Sequence, residues 1–494
     1  MIIPFVDWQP DAVDFGAQGS AIITNAVPAE RSFQPFPSFA QFSNAIDSRP
    51  RGGIEAFDRD DVSHLYVGNE TKLFELDSSN FTFTDRTNTG GAYSTGAGQV
   101  WNFVRFKNKI LATNFSNNIQ QKDMATSVAN FTDLTSDFRA KNITVIGDFV
   151  VCSNTFDSSD GNVPNRVRWS GISNETQWTV SSSTLSDFRD LTTGGPIRAI
   201  TGGEVGIIVS ERSIFRMTFV GAPVVFQIDE ILPDIGTVSG GSVTALGDNV
   251  YLISDQGFLE ITANGTGVNP IGAGRVDQWF RANFDDNFPD RVFSLPDPTN
   301  NRIIWAFPGP SNEGGRPNKI VIYDKTFNKW ALVEDDVEMI LRAKGFSVTL
   351  ENLPSLGFTN LDTIPMSFDS GIFTANGQIA AFDKNLKLGF FAGDSKSATL
   401  ETGEIALNAG SKTGLSAFRP LVVGGSVTAQ VGHRSKLADE VTFTDTLSPT
   451  SSGRITKRVN DCYHRFRITC SGLWEDAIGV EVDRVDAQSR GRRA

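Results

Sequence analysis

The chain has 494 residues, enough for two to four domains or one large repeat architecture, and its 39% hydrophobic and 20% charged content excludes a disordered chain. A formal charge of −13 disfavours a protein that grips nucleic acid by neutralising phosphates, because that mode needs a basic face. The three cysteines, Cys152, Cys462 and Cys470, argue against a disulfide framework; Cys462 and Cys470 lie in strand-like runs and read as buried thiols.

The N-terminal MIIPFVDWQP lacks the basic region of a signal peptide, and no stretch approaches the ~20 apolar residues of a membrane helix. The expectation is a soluble protein made in the cytoplasm. Thirty-eight Phe and 46 Gly favour strands and tight turns. In residues 1–54, Pro4, Pro10, Pro28, Pro35, Pro37 and Pro50 interrupt every candidate element, while Phe33, Phe36, Phe39 and Phe42 supply apolar anchors. This segment reads as an irregular N-terminal arm packed on something else, such as a neighbouring subunit.

Residues 55–394 read as a β-propeller of six or seven irregular blades. His64–Gly68 turns into Lys72–Leu76, Trp101–Phe106 into Ile110–Thr113, and Ile143–Ile146 into Phe149–Cys152. Gly203–Val209 and Gly247–Ile253 then share one plan: a glycine-led turn, an apolar run, a polar break and a second apolar run. Gly203 and Gly247 stand 44 residues apart, a blade-length period. Arg275–Arg281 is a short helical connector. Arg291–Phe293, Arg302–Phe307 and Lys319–Asp324 are further strands, and Phe368–Phe373 with Gln378–Asp383 form the last blade after an insertion at 334–363. Residues 395–488 alternate polar and apolar, as in Ser426–Val431 and His464–Thr469, and suggest an appended antiparallel, sandwich-like β domain. Residues 489–494 form a basic tail.

Chemistry is sparse. His64, His433 and His464 are far apart in sequence. The acidic loop Asp157–Asn162 lacks the ligand spacing of a calcium site. Ser254–Gly257 resembles a sialidase turn but does not recur in other blades. Trp169, Trp178, Trp305 and Trp330 read as core rather than as a sugar platform. With no nucleophile elbow, phosphate loop or zinc helix, the expectation is no catalytic, cofactor-binding or metal residue and no enzyme.

Several segments resemble one family. They are Asn25–Pro28 with Phe33–Pro37, Arg168–Gly171 with Trp178, Ile214–Pro223, Ile235–Val238, Ser254–Phe258, Arg419–Leu421, Gly432–Arg434, Tyr463–Phe466 and Trp474–Asp483. Together they are similar to the stabilisation or nozzle (tail tubular protein B-like) proteins of short-tailed bacteriophages. The resemblance implies a structural virion protein of the tail: a homo-hexamer below the portal and adaptor protein, gating the DNA channel during ejection and holding tail fibre or spike proteins. DNA would pass without sequence-specific binding, and the acidic balance would keep the conduit from holding its cargo. The competing reading is a carbohydrate-binding or glycoside-cleaving propeller, which requires a deep pocket with clustered Asp/Glu and exposed Trp. A third is a cytoplasmic scaffold propeller that stays monomeric and binds a peptide.

Overall fold

The computed structural model describes residues 1–12, 19–77, 80–125, 129–262, 265, 267–344, 377–407 and 412–487. Among these the chain is all-β apart from the helix Asp277–Asn283 and short 3-10 turns. Six separate four-stranded sheets are blades of a β-propeller. In chain order, five of them run from Gly53 to Asp85, Asn102 to Thr135, Phe138 to Asp190, Ile197 to Pro233 and Thr244 to Pro270. A further quartet, Phe293 to Glu334, sits next in the ring but continues into a thirteen-stranded sheet. The closing blade combines Val337–Lys344, Gly377–Asp383 and Lys387–Ser395 with Pro37–Ala45 from near the N-terminus.

The local reasons are the ones the sequence offered. Each blade's first hairpin is made by an apolar run either side of a short turn. Three of these turns open on a left-handed residue, Lys107 (φ 55°), Gly147 (φ 53°) or Gly247 (φ 59°), the handedness that matches strand twist. The second strands are the most apolar and the most buried: Ile208 and Val209, Val150 and Val151, and Leu252 are all at or near zero exposure. The innermost strands of successive quartets meet around an axis. There the packing is close enough that a Cβ on Gly241 would lie 2.0 Å from the Val292 carbonyl oxygen.

Several expectations need correction. The described part of residues 1–54 carries five short strands between Ile2 and Ala45, and these pair within their own chain. Ile2–Pro4 pairs with Gly479–Glu481, and Ile23–Thr24 bridges Lys329–Glu334 and Ala398–Glu401. Ala26–Pro28 pairs with Phe33–Pro35, and Pro37–Ala45 completes the closing blade. Pro4, Pro28, Pro35 and Pro37 stand at the first or last residue of these strands, where a missing donor costs the ladder little. The 334–363 insertion begins with the inner strand Val337–Lys344; the rest, like Phe368–Phe373 and the 489–494 tail, lies outside the described residues. The helix starts two residues later than expected.

The C-terminal unit is one curled sheet rather than a two-sheet sandwich. Two long strands, Thr413–Arg434 and Tyr463–Ala487, pair along nearly their whole lengths, with register shifts between Leu421 and Ser426. Bulges bend a ribbon, and this one folds back until Phe418 and Phe466 meet at 5.0 Å. Nor is it packed as a separate domain. A single apolar cluster joins Phe258, Trp305 and Trp330 of the propeller to Ile3, Trp8 and Phe33 of the N-terminal segment and Phe418, Phe466 and Ile468 of the curled sheet.

Asp7 pins the N-terminal segment to this cluster. Its carboxylate accepts from the Trp330 N–H at 2.6 Å and from Arg275 Nε at 3.0 Å, and the residue is only 9% exposed. Asp7→Ala leaves the Trp330 amide without its acceptor and takes the carboxylate from Arg275, which keeps Asn328, a loss of about 3 kcal/mol by analogy with other broken buried pairs. The urea midpoint is expected to fall accordingly, without a change in slope; an unchanged midpoint would remove Asp7 as an anchor.

Candidate functional site

The residues singled out for chemistry do not converge. His64 lies in a buried ionic cluster between the first two blades, with Nδ1 3.3 Å from Glu75 and Nε2 3.4 Å from Asp58. Glu75 also accepts from the Tyr66 hydroxyl at 2.8 Å and from Arg86 at 2.9 Å, with Lys122 at 3.5 Å. Burial alone would push the Glu75 carboxyl up. The hydrogen bond from His64, the charge of Lys122 and the bonds from Arg86 and Tyr66 outweigh it and hold the group at about 2. The hydrogen bond to Glu75 raises His64 above its ordinary value. The carboxylate here is saturated by donors and is placed to tie two blades together.

His433 and His464 face each other across the long ribbon. His433 Nδ1 is 2.8 Å from Asp461. His464 is fully buried, and neither ring nitrogen has a hydrogen-bond partner; burial lowers its pKa to about 4. In the acidic loop, Asp157 accepts the Ser159 and Asp160 backbone N–H groups, and Arg166 reaches Asp157, Asp160 and Asp190 together. Those carboxylates are already neutralised. Ser254–Gly257 is the tight turn between two paired strands. Trp169, Trp178, Trp305 and Trp330 are at most 2% exposed. Cys152 and Cys470 are buried free thiols, and Cys462 is a half-buried one. Among the described residues, no group of three or more His, Cys, Asp or Glu side chains is arranged to hold a metal ion.

Two features remain that sequence reasoning missed. The first is a cavity of about 280 Å³ on the propeller axis, lined by residues on or just before the inner strands of all seven quartets. Its charged lining residues are Arg51, Lys141, Arg198 and Asp290, three cations to one carboxylate in a protein of net charge −13. They are scattered over some 240 residues of sequence, so no linear motif announces them. The second is exposed apolar surface in two places. The hairpin tip joining the last two strands of the fourth blade presents Phe219 (44% exposed), Val220 (49%) and Val224 (50%). The bend of the C-terminal ribbon presents Val423 (46%), Leu473 (70%) and Ile478 (40%), with Met1 and Ile2 also exposed on the first strand. Large apolar residues grouped this way mark contact surfaces more often than isolated ones do.

No family model and no curated protein matches the chain. Among solved structures it is similar to the computationally designed Ika8 protein, at 8% identity and TM-score 0.38 over 79% of this chain and 99% of that one. It is also similar to YCF48 bound to D1 peptide, at 11% identity and TM-score 0.35 over 71% and 96%. Similarity at this level specifies neither a ligand nor a partner. No helix among the described residues is long and apolar enough to cross a membrane.

The two histidine sites give opposite pH dependences. The raised His64 value contributes stability below its ordinary pKa that is lost as pH climbs through the raised one. His464, depressed to about 4, costs stability as pH falls from about 6.5, because the unfolded chain takes up the proton first. That loss reaches about 3 kcal/mol near pH 4. His464→Leu is expected to flatten the acid limb in urea titrations at pH 7 and pH 4.5; parallel curves for variant and parent would refute it.

Proposed function

We propose that the protein is a structural component of a short-tailed phage virion: a subunit of the tail nozzle ring below the adaptor, gating the DNA channel and anchoring fibres or spikes. The carrying observation is the pair of distinct exposed apolar surfaces, the Phe219–Val224 hairpin tip and the Val423–Leu473 bend. A head-to-tail ring joins two different surfaces of each subunit, and a chain that offers two such patches has what this contact requires. The family resemblance in the sequence supplies the phage setting and the six-fold number. The N-terminal segment is committed to its own chain, so ring contacts are assigned to loops and to these two patches rather than to an exchanged arm. The axial cavity of about 280 Å³ is far too small to pass duplex DNA, so the conduit in this reading is formed between subunits.

The carbohydrate reading required clustered carboxylates and exposed tryptophan in a deep pocket. Asp290 is the one carboxylate lining the axial cavity, and Trp101, which also lines it, is 3% exposed. The structural reading is therefore preferred.

The test is mass in solution by light scattering, alone and mixed with a twelve-fold adaptor ring. The expected result is six copies joining the adaptor, with Val220→Asp and Leu473→Asp each abolishing assembly while leaving the monomer's melting temperature within a few degrees. A strict monomer that ignores the adaptor but shifts on adding glycans would transfer the assignment to the carbohydrate reading.

A further inference from the structure

The propeller axis holds more cationic side chains than its acceptors can satisfy. Arg51 and Asp290 precede inner strands, and Arg198 is the second residue of one, so these groups gather at one end of the axial cavity. Around them the supply of acceptors is thin. Arg51 is 8% exposed and uses one terminal nitrogen on the Thr95 and Gly96 carbonyls and the other on Glu70 at 3.3 Å, but its buried Nε has no acceptor. Arg291, 6% exposed, must share the single carboxylate of Glu338 with Arg316, each at 2.7 Å, and its buried Nε is likewise unpartnered. Arg198 reaches Glu211 at 3.2 Å and leaves a third such Nε. Lys141 comes no closer than 4.0 Å to Asp290. Arg49, half-buried, makes no hydrogen bond or ion pair with any described residue.

Buried donors of this kind are rare in folded proteins because each gives up water without compensation. Burial, followed by the neighbouring charges of Arg291 and Arg51, lowers Arg49 to about 10, and burial lowers Lys141 as well. The cluster is thus held together against its own electrostatics, which is the situation a bound anion relieves. Oxyanions with several acceptor lone pairs suit guanidinium forks better than a halide does. The cavity of about 280 Å³ has room for a tetrahedral oxyanion with a small substituent and excludes a duplex.

We propose that this axial mouth is a binding site for a phosphate group, free or as a small monoester, held by Arg51, Lys141 and Arg198, the three cations that line it. The site is independent of the ring-forming surfaces and stands whether or not the nozzle reading does. Binding would clamp inner strands of different blades to one ligand and stiffen the ring at its centre.

The experiment is isothermal titration of the full chain at low ionic strength with inorganic phosphate and, separately, glycerol phosphate. One saturable site per chain is expected, with at least a tenfold loss of affinity in Lys141→Met and, independently, in Arg198→Gln. The Lys141 ammonium gives up only a 4.0 Å approach to Asp290, so the first variant is expected to keep its fold, checked by an unchanged circular dichroism spectrum. Arg31→Ala, whose side chain is 91% exposed and pairs only with Glu30, should bind as the parent does. Tighter binding of the free ion or of the ester upholds the site in either case and tells which form it takes. No saturable binding, or equal weakening in the Arg31→Ala control, or full affinity in both Lys141→Met and Arg198→Gln, would overturn the proposal.

Discussion

The fold depends on a single strand pairing made across nearly the whole chain. Pro37–Ala45 supplies the outer strand of the blade whose other strands begin at Val337, pairing with Lys387–Ser395. A propeller built by radial repetition is stable only if its last sheet is complete, because an open edge leaves backbone donors and acceptors to water and to other chains. Here closure comes from before the first blade, so every blade lies inside the loop that this pairing closes. The entropy of that closure grows only slowly with its length, while the aromatic packing that offsets it is extensive: Phe39 and Phe36 pack on Phe391 at 5.6 and 5.0 Å, and Phe42 on Phe390 at 5.6 Å.

The same economy governs the C-terminal sheet. Among the described residues, the sheet path from the Phe293–Glu334 quartet to the curled ribbon runs first through a two-residue strand, Ile23–Thr24, and then through Ala398–Glu401. Two residues of pairing would be weak alone. They are reinforced by the apolar cluster around Trp305 and Trp330, by Asp7, and by Ile3 and Phe33, all meeting on one side. Propeller and ribbon therefore behave as one packed body with a shared core, although their sequence patterns differ.

Charge is distributed according to burial. Where carboxylates are buried, as at Glu75, Glu401 and Glu404, they are surrounded by donors; Arg465 alone reaches both Glu401 at 2.9 Å and Glu404 at 2.8 Å. A buried ion cluster of this kind specifies which blades or strands are neighbours more than it adds to net stability. The axial cavity inverts the arrangement, lined by three cations, Arg51, Lys141 and Arg198, and one carboxylate, Asp290. That contrast is what separates a structural charge cluster from a candidate ligand site in this protein.

The order of residues alone establishes the all-β class, the paired-hairpin repeat and the positions of most strands. These follow from local rules: paired apolar runs of two to four residues, glycine-led turns, and a blade-length period, all visible in Gly203–Phe215 and Gly247–Leu259. The same local reading assigns Trp169, Trp178, Trp305 and Trp330 to the core. Long-range packing sets the rest. Proline-rich residues 1–54 look irregular in sequence because the strands there are two to nine residues long and most take a partner from hundreds of residues away, as Ile3 does with Val480. Val337–Lys344 reads as part of an insertion until its neighbours around the axis are known. The axial cations are illegible for the same reason: Arg51, Lys141 and Arg198 belong to different blades or the segments leading into them, and ring closure alone brings them together.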